Sequence, residues 1–141
     1  MILSIPWLIV AIILYNVIAF SASWPPAGGQ TVFDDRLFSL DMISGATWTL
    51  TVGDLVTIIT LVLLFVEIIK ATRTGGSSIV DHGLSTVLFM FCLVEFLVVR
   101  QAATSVFFFI LTVALIDVIA GFSITIRGAR RDFGFGGAQG E

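Results

Sequence analysis

The chain has 141 residues, of which 57% are hydrophobic and only 12% charged, and its net charge is -3. A soluble domain is roughly 45–50% apolar with about 25% charged residues, so this chain, with a mean hydropathy of +1.09, has too little polar surface to coat a globule in water. Composition and charge therefore exclude a soluble enzyme, a disordered chain and, for want of a basic field, a nucleic-acid binder.

A membrane-crossing helix needs roughly 20 mostly apolar residues, and four stretches meet that need: residues 2–20, 52–71, 79–99 and 103–126. The expected fold is all-α: a polytopic four-transmembrane-helix bundle, one membrane domain over residues 1–141. An outer loop is expected at 21–51 and a tail at 127–141. The first run is not preceded by Lys or Arg, so it lacks the charged region of a signal peptide and reads as a retained helix. The loop opens with Trp24-Pro25-Pro26-Ala27-Gly28-Gly29, where Pro lacks an amide donor and Gly is entropically costly in a helix. Phe38, Leu40 and Met42 then alternate with Ser39 and Asp41, and Trp48 and Leu50 alternate with Thr47, Thr49 and Thr51. Period-two alternation on both sides of Ser44-Gly45 predicts a β-hairpin. A lone hairpin is marginal in water, so this one is expected to rest on the bilayer or on a partner. An amphipathic helix over Phe33, Leu37 and Leu40 is the competing reading.

Thr51-Val52-Gly53-Asp54 opens the second span and Ser78-Ile79-Val80-Asp81 the third. Both are capping-box patterns, in which a hydroxyl and an acid three residues later satisfy free amides at a helix start. Thr74-Gly75-Gly76-Ser77-Ser78 reads as a flexible turn, and the glycine-rich stretch from Asp132 onward as a mobile tail. Orientation follows from the cations. Five of them (Lys70, Arg73, Arg127, Arg130, Arg131) fall on one side and two (Arg36, Arg100) on the other. Both termini are therefore expected in the cytoplasm, with Trp7, Trp24 and Trp48 at the interfaces.

An ionisable residue inside a span is costly and marks a functional hypothesis. Six are present: Asp54, Glu67, Asp81, His82, Glu95 and Asp117. Each has a plain structural reading beside the functional one. Asp54 and Asp81 fit helix caps. Glu67 and Lys70, three apart, fit a pair at the inner interface. Depth places Asp54 near Glu95 at the outer end, with Arg100 and Arg36 close by. Asp117 is the most deeply placed, roughly 13 Å from the inner end of its span, and a proton, a hydrogen bond or a cation must offset its burial. Asp81, Ser85, Leu88, Cys92, Glu95 and Val99 share a stripe. Ile110, Ala114, Asp117, Gly121 and Thr125 share another, where Ala114 and Gly121 let a neighbouring helix approach. Asp54, Thr57, Thr60 and Glu67 share an arc of the second span. Phe107, Phe108 and Phe109 read as a lipid-facing patch. Ser85, Cys92, Thr60 and Glu67 are the expected partners of Asp117.

His82 is the single histidine and Cys92 the single cysteine. Bis-histidine haem ligation within the chain and an intrachain disulfide are thereby excluded. His82, in the first turn of its span, suits an interfacial residue, with proton-relay or ligand duty the alternative. Phosphate-binding glycines, a catalytic triad and zinc spacing are lacking, so no cofactor, metal or enzymatic chemistry is expected.

Ser44-Gly45-Ala46-Thr47-Trp48, Gly53-Asp54, the run from Glu67 to Gly75, Asp81-His82 and Glu95-Phe96 resemble a group of uncharacterised four-span bacterial inner-membrane proteins. That resemblance implies a bacterial inner membrane and brings no activity, so no residue role is carried over. The expected function is a small accessory or stabilising subunit of a larger membrane complex. Its partners would be the lipid bilayer and a membrane protein or further copies of itself. A proton- or cation-coupled carrier acting as an oligomer through the intramembrane carboxylates is the alternative. A membrane enzyme or a haem or quinone subunit is a third reading, weakened by the single histidine.

Overall fold

The computed structural model describes residues 5–22, 27–73 and 78–134. The chain is mostly helical: α1 (Leu8–Ser21), α2 (Val52–Arg73), α3 (Ser78–Val98) and α4 (Ser105–Gly134), with a small hairpin of β1 (Arg36–Asp41) and β2 (Thr47–Thr51) between α1 and α2. The stretch around Trp24, the 74–77 turn, the Ser78 and Thr125 side chains and the chain beyond Gly134 lie outside the described residues.

Three helices are long and apolar enough to cross a membrane, over Val52–Thr72, Val80–Val98 and Ser105–Ile124. The fourth does not reach the length expected of residues 2–20. α1 has 14 residues, about 21 Å at the α-helical rise, against a hydrocarbon core of about 30 Å. Pro6 sets its start: the fixed φ and missing N–H of proline suit a helix N-terminus and no position further in, and the Pro6 carbonyl accepts from the Ile9 amide at 3.1 Å. α4 errs the other way. It runs 30 residues to Gly134, past the expected end at 126, because only Gly128 opposes a helix between 127 and 133. The expected tail is thus helical for its first eight residues.

α4 is the central element, packed against both α2 and α3, while α1 lies on α2 and reaches α4. The core gathers Tyr15, Phe33, Val56, Cys92, Phe107 and Ile110. Tyr15 stacks on Phe33 with ring centres 4.5 Å apart, and Phe107 meets the same ring edge-on at 4.8 Å. Phe107 is fully buried, whereas Phe108 and Phe109 are exposed. The expected three-phenylalanine lipid patch is therefore two residues: three successive helical residues point about 100° apart, so one must turn inward.

The hairpin pairs Phe38 with Leu50, Leu40 with Trp48 and Asp41 with Thr47. It turns where the alternation placed it. The Gly45 amide donates to the Met42 carbonyl and the Met42 amide to the Ala46 carbonyl, each at 2.9 Å. Gly45 takes φ +82°, the left-handed position that closes a three-residue hairpin loop. The helical alternative over Phe33, Leu37 and Leu40 fails, since Leu37 and Leu40 lie in β1. Phe33 sits in a single 3-10 turn, Val32–Asp34. Asp34 caps that turn by accepting from the Thr31 amide at 2.8 Å. Phe33 packs on α2 at Gly53, where a Cβ would come within 3.0 Å of the Phe33 carbonyl oxygen and 2.8 Å of Val106.

Candidate functional site

Up-and-down connectivity brings the start of α1, the end of α2, the start of α3 and the second half of α4 to one end of the molecule. Four of the six ionisable residues meet there. On α2, Glu67 and Lys70 are one turn apart and form an ion pair at 2.7 Å, with both side chains buried. The pair also holds α1. The second oxygen of Glu67 accepts from the Trp7 amide at 2.9 Å, and Lys70 Nζ donates to the Ile5 carbonyl at 3.2 Å. Amides at a helix start have no partner within the helix and carry the positive end of its dipole. Glu67 therefore caps α1 from a neighbouring helix. Because its partners on α1 are main-chain groups, the side-chain pattern of the sequence holds no trace of this contact.

α3 contributes Asp81, His82 and Ser85 to the same cluster, and α4 contributes Asp117 and Gly121; all five residues are buried. The Asp117 carboxyl faces the Ser85 hydroxyl, with Glu67, Lys70 and His82 around it. Ser85 and Glu67 are two of the four partners expected for Asp117. Thr60, a third, spends its hydroxyl on the Val56 carbonyl within α2, at 2.8 Å. The His82 ring lies against Gly121, where a Cβ would overlap Nδ1 and come within 2.7 Å of Cε1. His82 Nε2 and Asp81 Oδ1 are buried without a hydrogen-bond partner among the described residues. The space left among these groups is about 10 Å³, no more than one water needs.

The other two ionisable residues stand apart. Asp54 is exposed and acts as the cap its spacing predicts: it accepts from the Thr51 amide at 2.9 Å while its own amide donates to Thr51 Oγ1 at 3.1 Å. Glu95 is buried near the opposite end of α3, its carboxyl beside the Asn16 side chain, with Oε2 unpartnered. Neither forms an ion pair with Arg36 or Arg100, since Glu67–Lys70 is the one ion pair among the described residues, although β1 sets Arg36 opposite Thr51, the residue that Asp54 caps. Arg100 is exposed, in the 3-10 turn that follows α3. Close to Glu95, the Tyr15 hydroxyl lies 2.7 Å from the Gln101 carbonyl and 2.6 Å from Thr104 Oγ1. Tyr15 ties α1 to the α3–α4 connection. The sequence signal for it was its position as the single tyrosine, a polar tip inside an apolar run.

α1 and α3 leave between them a lateral groove of about 710 Å³. Its walls are almost wholly apolar, with Ile9, Ile13 and Val17 on one side and Leu84, Val87 and Phe91 on the other. Asn16 is its polar point. Compared with models of known protein families, with curated proteins and with solved structures, the chain matches none.

Proposed function

We propose that the chain is an integral protein of a bacterial inner membrane, with both termini in the cytoplasm, and that it serves as an accessory or stabilising subunit of a larger membrane complex. The observation that carries this reading is the groove between α1 and α3. Here one face of the bundle is left open, from Ile5 to Val17 on α1 and its approach and from Leu84 to Phe91 on α3, with bulky apolar walls. Helices in lipid associate through such packing surfaces rather than through a hydrophobic drive, so a partner's transmembrane helix fits the gap between two of this chain's own. The polar cluster then has a holding role. It fixes the start of α1 on α2 and seats α3 on α4, and it sets the width of the groove. The five-to-two split of cations supports the orientation.

A photoreactive residue in place of Val87, used in native membranes, tests the reading. The expected result is one cross-linked membrane protein in one-to-one stoichiometry, lost when Ile13→Trp fills the groove. Cross-links confined to lipid or to a second copy would refute it. A second reading, the proton- or cation-coupled oligomeric carrier, is favoured by one observation: two residues lining the small space in the cluster, Asp81 and His82, each hold a buried polar atom, Oδ1 and Nε2, with no hydrogen-bond partner among the described residues. Asp117→Asn in proteoliposomes discriminates. In a carrier it abolishes pH-driven uptake with the fold intact, and in a subunit it leaves assembly unchanged.

A further inference from the structure

We propose that the β1–β2 hairpin is a membrane-interface wing that seats Phe38, Leu40, Met42 and Trp48 in the outer leaflet of the bilayer; this rests on the membrane reading above. The hairpin has two unlike faces. Strand alternation puts Phe38, Leu40, Trp48 and Leu50 on one face and Ser39, Asp41, Thr47 and Thr49 on the other. The polar face is internally bonded: Ser39 Oγ to Thr49 Oγ1 at 2.9 Å, and Thr47 Oγ1 to Asp41 at 2.8 Å. The apolar face carries an edge-on Phe38–Trp48 pair at 5.7 Å. Phe38, Leu40, Met42 and Trp48 are each about half exposed and Ile43, at the tip, wholly so.

The direction of the apolar face decides its occupant. Leu50 lies on that face and is buried at the base of the hairpin, where β2 passes into α2 without an intervening residue. The apolar face is therefore the one turned toward the helices. Further out, past the helices, the same face overhangs whatever surrounds them, which for a membrane bundle is lipid. A protein approaching from the aqueous side would meet the serine, threonine and aspartate face instead. The orientation is fixed by packing. Phe33 is plugged against Tyr15 and Gly53, and the Val52 amide donates to the Asp35 carbonyl at 3.0 Å. Trp and Phe rings at such a depth match the aromatic belt of membrane interfaces. The charges argue against attraction to anionic headgroups, since Asp34, Asp35 and Asp41 outnumber Arg36 and the segment has no lysine. Apolar area drives the seating.

The test is fluorescence quenching in phosphatidylcholine vesicles whose lipids are brominated either near the glycerol end or near the methyl end of the chain. A protein with Trp48 alone is made by Trp7→Phe and Trp24→Phe; Trp7 meets Glu67 through its main-chain amide, so the first substitution spares that contact. A second protein places the reporter on the exposed face of α2 by Phe65→Trp, with Trp7, Trp24 and Trp48 all changed to Phe. The expected result is severalfold stronger quenching of Trp48 by shallow than by deep bromine, unchanged when anionic lipid is added, and the reverse depth order for Phe65→Trp. Unquenched Trp48 beside a quenched Phe65→Trp overturns the wing and leaves the membrane reading standing, whether the ring then lies in water or against another protein. Neither reporter quenched overturns the membrane reading itself.

Discussion

Gly121→Ala is the sharpest test of how the polar cluster is packed. A methyl at position 121 overlaps the His82 ring at Nδ1 and comes within 2.7 Å of Cε1 and 3.3 Å of Cγ. The ring must shift in a space of about 10 Å³, or α3 and α4 must part. Overpacking of this kind costs about 1–3 kcal/mol. Against it stands the helix propensity that alanine gains over glycine, about 1 kcal/mol. Gly83→Ala supplies the control. Gly83 adjoins His82 on α3, is exposed, and a Cβ there meets nothing within 4 Å. It receives the same propensity gain without the clash. The difference between the two variants therefore isolates the contact, with Gly121→Ala the less stable by about 1–3 kcal/mol. Unfolding titrations in mixed micelles, followed by far-ultraviolet circular dichroism, measure it, and the chemical shifts of the His82 ring report whether the imidazole has moved. Equal stability of the two variants, with an unmoved ring, refutes the packing described for α3 and α4.

Other substitutions probe the remaining contacts. Glu67→Leu strands the Lys70 ammonium and the Trp7 amide and is expected to cost about 3–5 kcal/mol, most of it recovered when Lys70→Leu is added, because an apolar pair replaces a buried ion pair at little cost; a double-mutant cycle of unfolding titrations reads this. Thr51→Val removes the hydroxyl that accepts from the Asp54 amide and leaves the main-chain half of the α2 cap in place; it should lower stability by about 0.5–2 kcal/mol, with faster amide exchange confined to the first turn of α2. Tyr15→Phe removes the hydroxyl that meets the Gln101 carbonyl and Thr104 Oγ1, the latter keeping the Phe107 amide, and should cost about 1–3 kcal/mol, loosening α1 from the α3–α4 connection in limited proteolysis.

The sequence made much of this arrangement legible where one residue type has one physical use. Alternation about Ser44-Gly45 located the hairpin, because a strand has no other way to show two faces. In the row from Asp81 to Val99, Asp81, Ser85, Cys92 and Glu95 are buried and Leu88 and Val99 partly so, because heptad spacing admits a single inward stripe. Asp117 found Ser85 for the same reason, two inward stripes on packed neighbours. What the pattern lacked was the main chain. The Ile5 carbonyl and the Trp7 amide that engage Lys70 and Glu67 are common to every residue, and no composition signals them. The apolar run of residues 2–20 holds a helix of only 14 residues, α1, because hydropathy counts apolar residues and is indifferent to where Pro6 lets a helix begin. Phe107 shares its residue type with Phe108 and Phe109, but rotation about the helix axis separates it from them.

Among the described residues the polar cluster holds three carboxyls, Glu67, Asp81 and Asp117, and one ammonium, Lys70, which is committed to Glu67 and the Ile5 carbonyl. Asp117 then has the Ser85 hydroxyl as its hydrogen-bonding neighbour, and one Asp81 oxygen has no hydrogen-bond partner among the described residues. A carried proton or cation would find acceptors here, yet the closed space is no larger than one water. The carrier reading therefore requires α3 and α4 to part at the Gly121–His82 contact in every cycle, whereas the subunit reading lets that contact stay shut. Ser85 stands on the boundary, 5% exposed. Ser85→Cys in a Cys92→Ala background converts this into a measurement, since cysteine replaces the hydroxyl at nearly the same size. In a subunit, a small water-soluble thiol reagent leaves the cysteine unlabelled with or without a proton gradient across the vesicle. Labelling that a gradient accelerates, with the fold intact by circular dichroism, would show the contact opening and would overturn the subunit reading in favour of the carrier.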